Sequence, residues 1–303
     1  MLDQSTPRTV LLLKIEIVVL AIFIGYLLFF DKIIPSQTQT EVKIMAPIVQ
    51  TPQVLGESTI TTVPTPTPSP ISLPTEALAR VVTPTDIITK KKSYVIAVYG
   101  DSMIDTMGER LEYLEHALKK NYPQTSFNLY NYGVGGQNVE QGLARLHSPF
   151  DYQTRHYPSI TSLKPDIIIL GSFAYNPYFP YDREKYKKGL EQLIDLAKKI
   201  TSDVYLIAEI APLKRDFGKG ENGVNWPEIQ AYEHATQIIS NLETAINVAS
   251  SLQIPVINVF SQSQTNLEKE GSKKYVSSND GIHPSIEGQK FTAEEIANII
   301  ILN

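Results

Sequence analysis

Residues 166–171 read DIIILG. Four consecutive apolar side chains, three of them β-branched, sit between an acid and a glycine. A run without a polar face belongs to a strand covered on both sides, the usual situation in a parallel sheet with helices above and below. The rest of the chain from about residue 93 fits that reading. Segments 94–99, 127–131, 203–210 and 255–260 also read as strands. Segments 109–120, 139–146, 182–200, 228–252 and 285–302 read as helices. Strands alternating with helices predict a three-layer α/β/α sandwich around a five-stranded parallel sheet. About 210 residues fit one such domain.

In an open parallel sheet, ligands bind beyond the carboxyl ends of the strands. All five segments there carry glycine with polar residues. The first strand runs into Gly100-Asp101-Ser102. The second runs into NYGVGGQN (131–138), the third into GSFAYNP (171–177), and the fourth into APLKRDFGKGENG (211–223). NDGIHPS (279–285) precedes the last helix. Ser102 stands where a strand turns into a helix. It could cap that helix, or it could be a nucleophile beside free backbone N–H groups. A serine nucleophile needs a base. Of five histidines, His116, His147, His156 and His234 have ordinary structural readings. His283 follows Asp280 by three residues, so the carboxylate can hold one imidazole nitrogen while the other faces outward. The alternative is that Asp280-Gly281 is only a turn before the helix, and DGIH alone does not decide between them. GVGG follows the second strand rather than the first, which argues against a dinucleotide site. No phosphate-loop or metal-ligand spacing is present, so neither a cofactor nor a metal is expected.

The order GDS, NYGVGG, DGIHP resembles the SGNH hydrolases, also called the GDSL esterase/lipase family. The resemblance covers residues 93–303, and GLARL (142–146) is similar to the helix after the second block of bacterial members. It implies a flavodoxin-like fold and a serine esterase that works without cofactor or metal. By this resemblance Ser102 is the nucleophile, His283 the general base and then acid, and Asp280 the residue that orients His283. The N–H groups of Ser102 and Gly136 donate to the oxyanion. The family's third donor is an asparagine two residues after the glycine that ends the third strand. Here Gly171 is followed by Ser172, Phe173, Ala174, Tyr175 and only then Asn176. Asn176 reaches the site only if the loop bulges; otherwise Ser172 or a water takes its place. Asp101 is expected to brace the turn. The aromatic run YNPYFPY (175–181) reads either as a stacking wall or as an ordinary loop.

The remaining third of the chain has a different texture. Residues 10–30, VLLLKIEIVVLAIFIGYLLFF, have the length of a bilayer span. No small-residue cleavage site follows, so a retained signal anchor is expected after a short leader, residues 1–9. Residues 31–92 are rich in Pro and Thr and read as an extended linker. The 303 residues carry a net charge of -5, which gives no bulk attraction to nucleic acid. There is no cysteine, hence no disulfide, thiolate metal site or lipid-modified cysteine. The sequence therefore predicts a single-pass membrane protein with an extracytoplasmic esterase domain. Its expected substrate is an O-acyl ester, an acetylated envelope polysaccharide before others. A lipid esterase or acyl-thioesterase, an O-acyltransferase, and a non-catalytic binding domain on the same fold are the alternatives. The oligomeric state is not legible.

Overall fold

The computed structural model describes residues 91–153 and 155–302. The expected anchor and nearly all of the linker lie outside the described residues. Among the described residues, no helix is long and apolar enough to cross a membrane.

Five strands form one parallel sheet: β1 (Ser93–Gly100), β2 (Ser126–Gly133), β5 (Ile167–Gly171), β6 (Asp203–Ala208) and β7 (Val256–Asn258). Their spatial order is β2-β1-β5-β6-β7. The stretch 166–171 is thus the central strand, paired on both sides by β1 and β6. Alternate side chains feed two separate cores. Ile96, Val98, Ile167, Ile169 and Ile207 face one, whereas Ala97, Tyr99, Ile168, Leu170 and Leu206 face the other. Helices α2 (Glu112–Asn121) and α8 (Ile286–Ile299) cover the first face and pack against each other. Helices α3 (Val139–Arg145) and α5 (Arg183–Lys198) cover the second. The long helix α6 (Glu228–Ser251) contributes its first half to the first core and its last turns to the second.

The structure departs from the sequence reading in several places, among them the last helix, which ends at Ile299 rather than residue 302, and β2, which runs on to Gly133. A small antiparallel hairpin, β3 (Phe150–Tyr152) with β4 (Arg155–Tyr157), and a one-turn helix, α4 (Ile160–Leu163), fill a segment read as loop. The segment 255–260 is not all strand. After Asn258 the chain turns into α7 (Val259–Gln262), because the Asn258 side chain accepts the Ser261 N–H and caps it. The helix read from residue 109 starts at Glu112, after a left-handed Leu111. Strand β6 stops at Ala208 rather than residue 210.

Three strands end in glycine, and this shapes the top of the sheet. Gly100 and Gly133 lie side by side in the β1–β2 register. The one-turn helix α1 (Ser102–Asp105) sits directly on them. A Cβ on Gly133 would lie 2.1 Å from the Asp105 nitrogen, and one on Gly100 would lie 2.3 Å from Ile104 Cγ1. Only bare backbone at both positions lets α1 descend onto the sheet.

Candidate active site

Asp101 caps α1, and its two carboxylate oxygens have different partners. Oδ1 accepts the Met103 N–H at 2.9 Å, which fixes the turn that presents Ser102. Oδ2 accepts from Asn176 Nδ2 at 2.9 Å. Burial raises the Asp101 pKa, while these hydrogen bonds oppose the rise. Below α1, the buried Asn131 donates to the carbonyls of Ile104 and Gly108, both at 2.8 Å, and accepts the Gly133 N–H. The end of β2 is thereby tied to the loop that follows α1.

The glycine loop after β2 is held from two sides. Gly135 N–H donates to the Tyr152 hydroxyl at 3.0 Å. Tyr152 in turn donates to Asp105 Oδ2, whose other oxygen pairs with Arg155 at 2.5 Å. The hairpin β3–β4 therefore exists to grip α1 and the glycine loop together. From the other side, Arg145 of α3 donates to the Gly100 carbonyl at 2.6 Å and to Gln137 Oε1 at 2.5 Å. Its guanidinium lies 4.0 Å over the Tyr99 ring. One cation thus fixes the residue before Asp101 and the residue after Gly136. Gly136 itself has φ +71° and nothing within 4 Å of where a Cβ would stand, so its backbone faces open space.

The last loop supplies the histidine. His283 Nδ1 lies 2.8 Å from Asp280 Oδ2, while Asp280 Oδ1 accepts the backbone N–H groups of Ile282 and His283. Burial alone would raise the Asp280 pKa, but the hydrogen bonds from His283 and the two amides outweigh it and the net shift is downward. The carboxylate stays ionised and holds the imidazole with Nε2 pointing away from it. The long loop after β6 is laid along this segment. Gly218 N–H donates to the Gly281 carbonyl, and Asn222 N–H to the Asn279 carbonyl.

A cavity of about 540 Å³ opens between these loops. Ser102, Gly136, Asn176 and His283 all line it, and Asp280 stands behind His283. The five residues singled out in the sequence are thus brought together at one place. Asn176 reaches the cavity because the 172–176 loop turns through a left-handed Phe173, φ +58°. A carboxamide nitrogen has two hydrogens; one is spent on Asp101, and the other remains for a ligand. Ser172, the alternative to Asn176, is not at the site. It is fully buried and bonded to Glu209. The aromatic run 175–181 is only partly a wall. Tyr175 and Pro177 line the cavity, but Phe179 is wholly exposed, Tyr178 packs on the second core and Tyr181 bonds Asn241.

The matching family model is that of the GDSL-like lipase/acylhydrolases, over residues 96–296. The chain belongs to this family. It is therefore a serine ester hydrolase of the SGNH type. No curated protein matches the sequence. Among solved structures, the lipase/acylhydrolase from Enterococcus faecalis is similar in fold, with a TM-score of 0.50 and 17% identity over 67% of this chain and 93% of that one. The acetylxylan esterase Axe2 from Geobacillus stearothermophilus gives 0.46 and 15% over 69% and 94%.

The sequence reading did not single out several residues that line or underlie this cavity. Phe217, Trp226 and His234 form one side of the cavity. The His234 ring centre lies 4.9 Å from that of Trp226 and 5.2 Å from that of Phe217. Burial lowers the His234 pKa, so the ring is neutral at neutral pH. The lone tryptophan of the chain, within a glycine-rich loop at a strand's carboxyl end, was the available signal. For Glu209 the signal was an acid directly after the apolar run 204–208, a placement that needs partners.

Proposed function

We propose that the chain is an O-acyl esterase, acting on an acetylated glycan of the cell envelope and held outside the cytoplasmic membrane by residues 10–30. The observation that carries this reading is the convergence of Ser102, Gly136, Asn176 and His283 on one cavity, with Asp280 on His283 Nδ1. His283 removes the proton from Ser102 Oγ as that oxygen bonds the acyl carbon. The carbonyl oxygen becomes an oxyanion, which accepts from the N–H groups of Ser102 and Gly136 and from Asn176 Nδ2. His283 then gives the proton to the departing alcohol oxygen, leaving acyl-Ser102. Water adds to the acyl carbon, its proton passes through His283 to Ser102 Oγ, and the carboxylic acid leaves.

The glycan part rests on the shape of the cavity. It is far larger than an acetyl group. One side is aromatic, with Phe217 and Trp226; the other is polar, with Asp105, Asn138 and the Tyr152 hydroxyl. A sugar ring offers both an apolar face to stack and hydroxyls to bond. The full chain in detergent is expected to hydrolyse p-nitrophenyl acetate and to release acetate from acetylated oligosaccharides. Ser102→Ala is expected to abolish both while remaining folded. Equal hydrolysis by wild type and Ser102→Ala would refute the mechanism. Preference for long-chain p-nitrophenyl esters over acetate would replace the glycan by a lipid.

A further inference from the structure

Glu209 takes no part in the chemistry above, yet it is a carboxyl group 3% exposed at the centre of the sheet's upper edge. It follows the last residue of β6. A Cβ on Gly171 would lie 3.0 Å from Glu209 Oε1 and 3.3 Å from the Gly100 Cα. The carboxyl group therefore sits where the ends of β1, β5 and β6 meet, directly beneath the turn that holds Ser102.

Both of its oxygens are used on one residue. Oε1 accepts the Ser172 N–H at 2.7 Å, and Oε2 shares a hydrogen bond with the Ser172 hydroxyl, in which a protonated carboxyl donates and an ionised one accepts. Ser172 Oγ in turn accepts the Ala174 N–H at 3.1 Å. The Ser172 carbonyl accepts from the Tyr186 hydroxyl at 2.9 Å. These bonds fix the first half of the loop 172–176 and force the left-handed Phe173 between them. The second half ends at Asn176, whose amide nitrogen bonds Asp101. Asn176 stands five residues after Gly171 in this loop, more than the resemblance to the family implies.

We infer that Glu209 is a positioning residue for catalysis: through Ser172 it sets the path of the 172–176 loop and so the place of Asn176 at the oxyanion. The inference rests on the esterase reading with Asn176 as a donor. A misplacement of about 1 Å in a reacting group can cost on the order of 10²-fold in rate. Loss of a whole oxyanion donor costs about 10²–10³-fold. An effect no larger than that of the misplacement is expected here, because Asn176 itself is retained.

The test is a double-mutant cycle on full-length protein with p-nitrophenyl acetate. Glu209→Leu is expected to lower kcat about 10–100-fold with KM within about threefold. In an Asn176→Ala background it is expected to lower kcat no further, because the donor it positions is gone. If Glu209→Leu does not fold, Ser172→Ala takes its place with the same expectation, since it removes the hydroxyl that joins Glu209 to the loop. A folded Glu209→Leu or Ser172→Ala with wild-type kcat would overturn the inference. So would a loss that multiplies in full with that of Asn176→Ala. Failure of the underlying reading is distinguishable: Asn176→Ala would then itself leave kcat unchanged.

Discussion

Asp280 and Glu209 are both partly or wholly buried carboxyl groups near the cavity, and their environments push them in opposite directions. Asp280 receives an imidazole and two amides, and its pKa is lowered. Its contribution to stability is present above the ordinary Asp value of about 3.9 and is lost as pH falls through the lower folded value. Asp280→Asn should leave His283 in place but without an ionised partner, and should lower kcat by on the order of 10²–10⁴, read by steady-state kinetics. Glu209 is raised, first by burial and then by the Asp101 charge. The native state keeps its proton where the unfolded chain has lost it. Stability at this residue therefore falls as pH rises from about 4.3, the unfolded value, toward the folded one. Urea unfolding at pH 5 and pH 8 should show Glu209→Gln gaining on wild type at the higher pH. The two acids also differ in legibility. Asp280 and His283 are three residues apart, so their pairing can be read from a turn. Glu209 acts on Ser172 across the β5–β6 pairing, and only the strand register brings them together.

Elements were legible where they were long and apolar on a definite face. Strand β5, with no polar residue inside it, could hardly be anything else. The hairpin β3–β4 was not legible: three residues a side are too few for a period, and Asp151, Arg155 and His156 look like solvent-exposed loop. What makes them a hairpin is Arg155 meeting Asp105 and Tyr152 meeting Gly135, contacts with residues far off in sequence. Helix α1 depends on absent side chains. Gly133→Ala would drive a methyl into the Asp105 backbone, which cannot rotate away. A loss of about 1–3 kcal/mol is expected, measured by chemical unfolding, with a fall in activity because Ser102 moves with α1. Arg145→Lys should preserve charge but not the two-ended grip on Gly100 and Gln137. It is expected to lower kcat more than it raises KM.

At the scale of the whole molecule, the sheet order places four of the strand-following loops around one opening, and the segment before α8 completes it. The alternation of elements was enough to expect a parallel sheet between helices, whereas the strand order, with β1 between β2 and β5, was implied only by the resemblance to a flavodoxin-like family. The N-terminal third bears on location. With residues 10–30 as the proposed anchor, full-length protein should stay with membranes after a carbonate wash. Release of a shortened chain would mean that the segment is cleaved. Trp226→Ala should raise KM for acetylated oligosaccharides and leave p-nitrophenyl acetate nearly unaffected, since only the larger substrate extends to the aromatic side.

The loop after β6 joins the His283 segment through main-chain groups: Gly218 to Gly281, and Asn222 to Asn279. Glycines at 220, 223 and 281 let the two backbones touch. Bonds of this kind do not depend on which side chains the loop displays. Val224, about half exposed, is thus like the removable face of a tool whose handle is the backbone. A laboratory or a lineage can exchange it to suit a different ester while the docking of the loop stays the same.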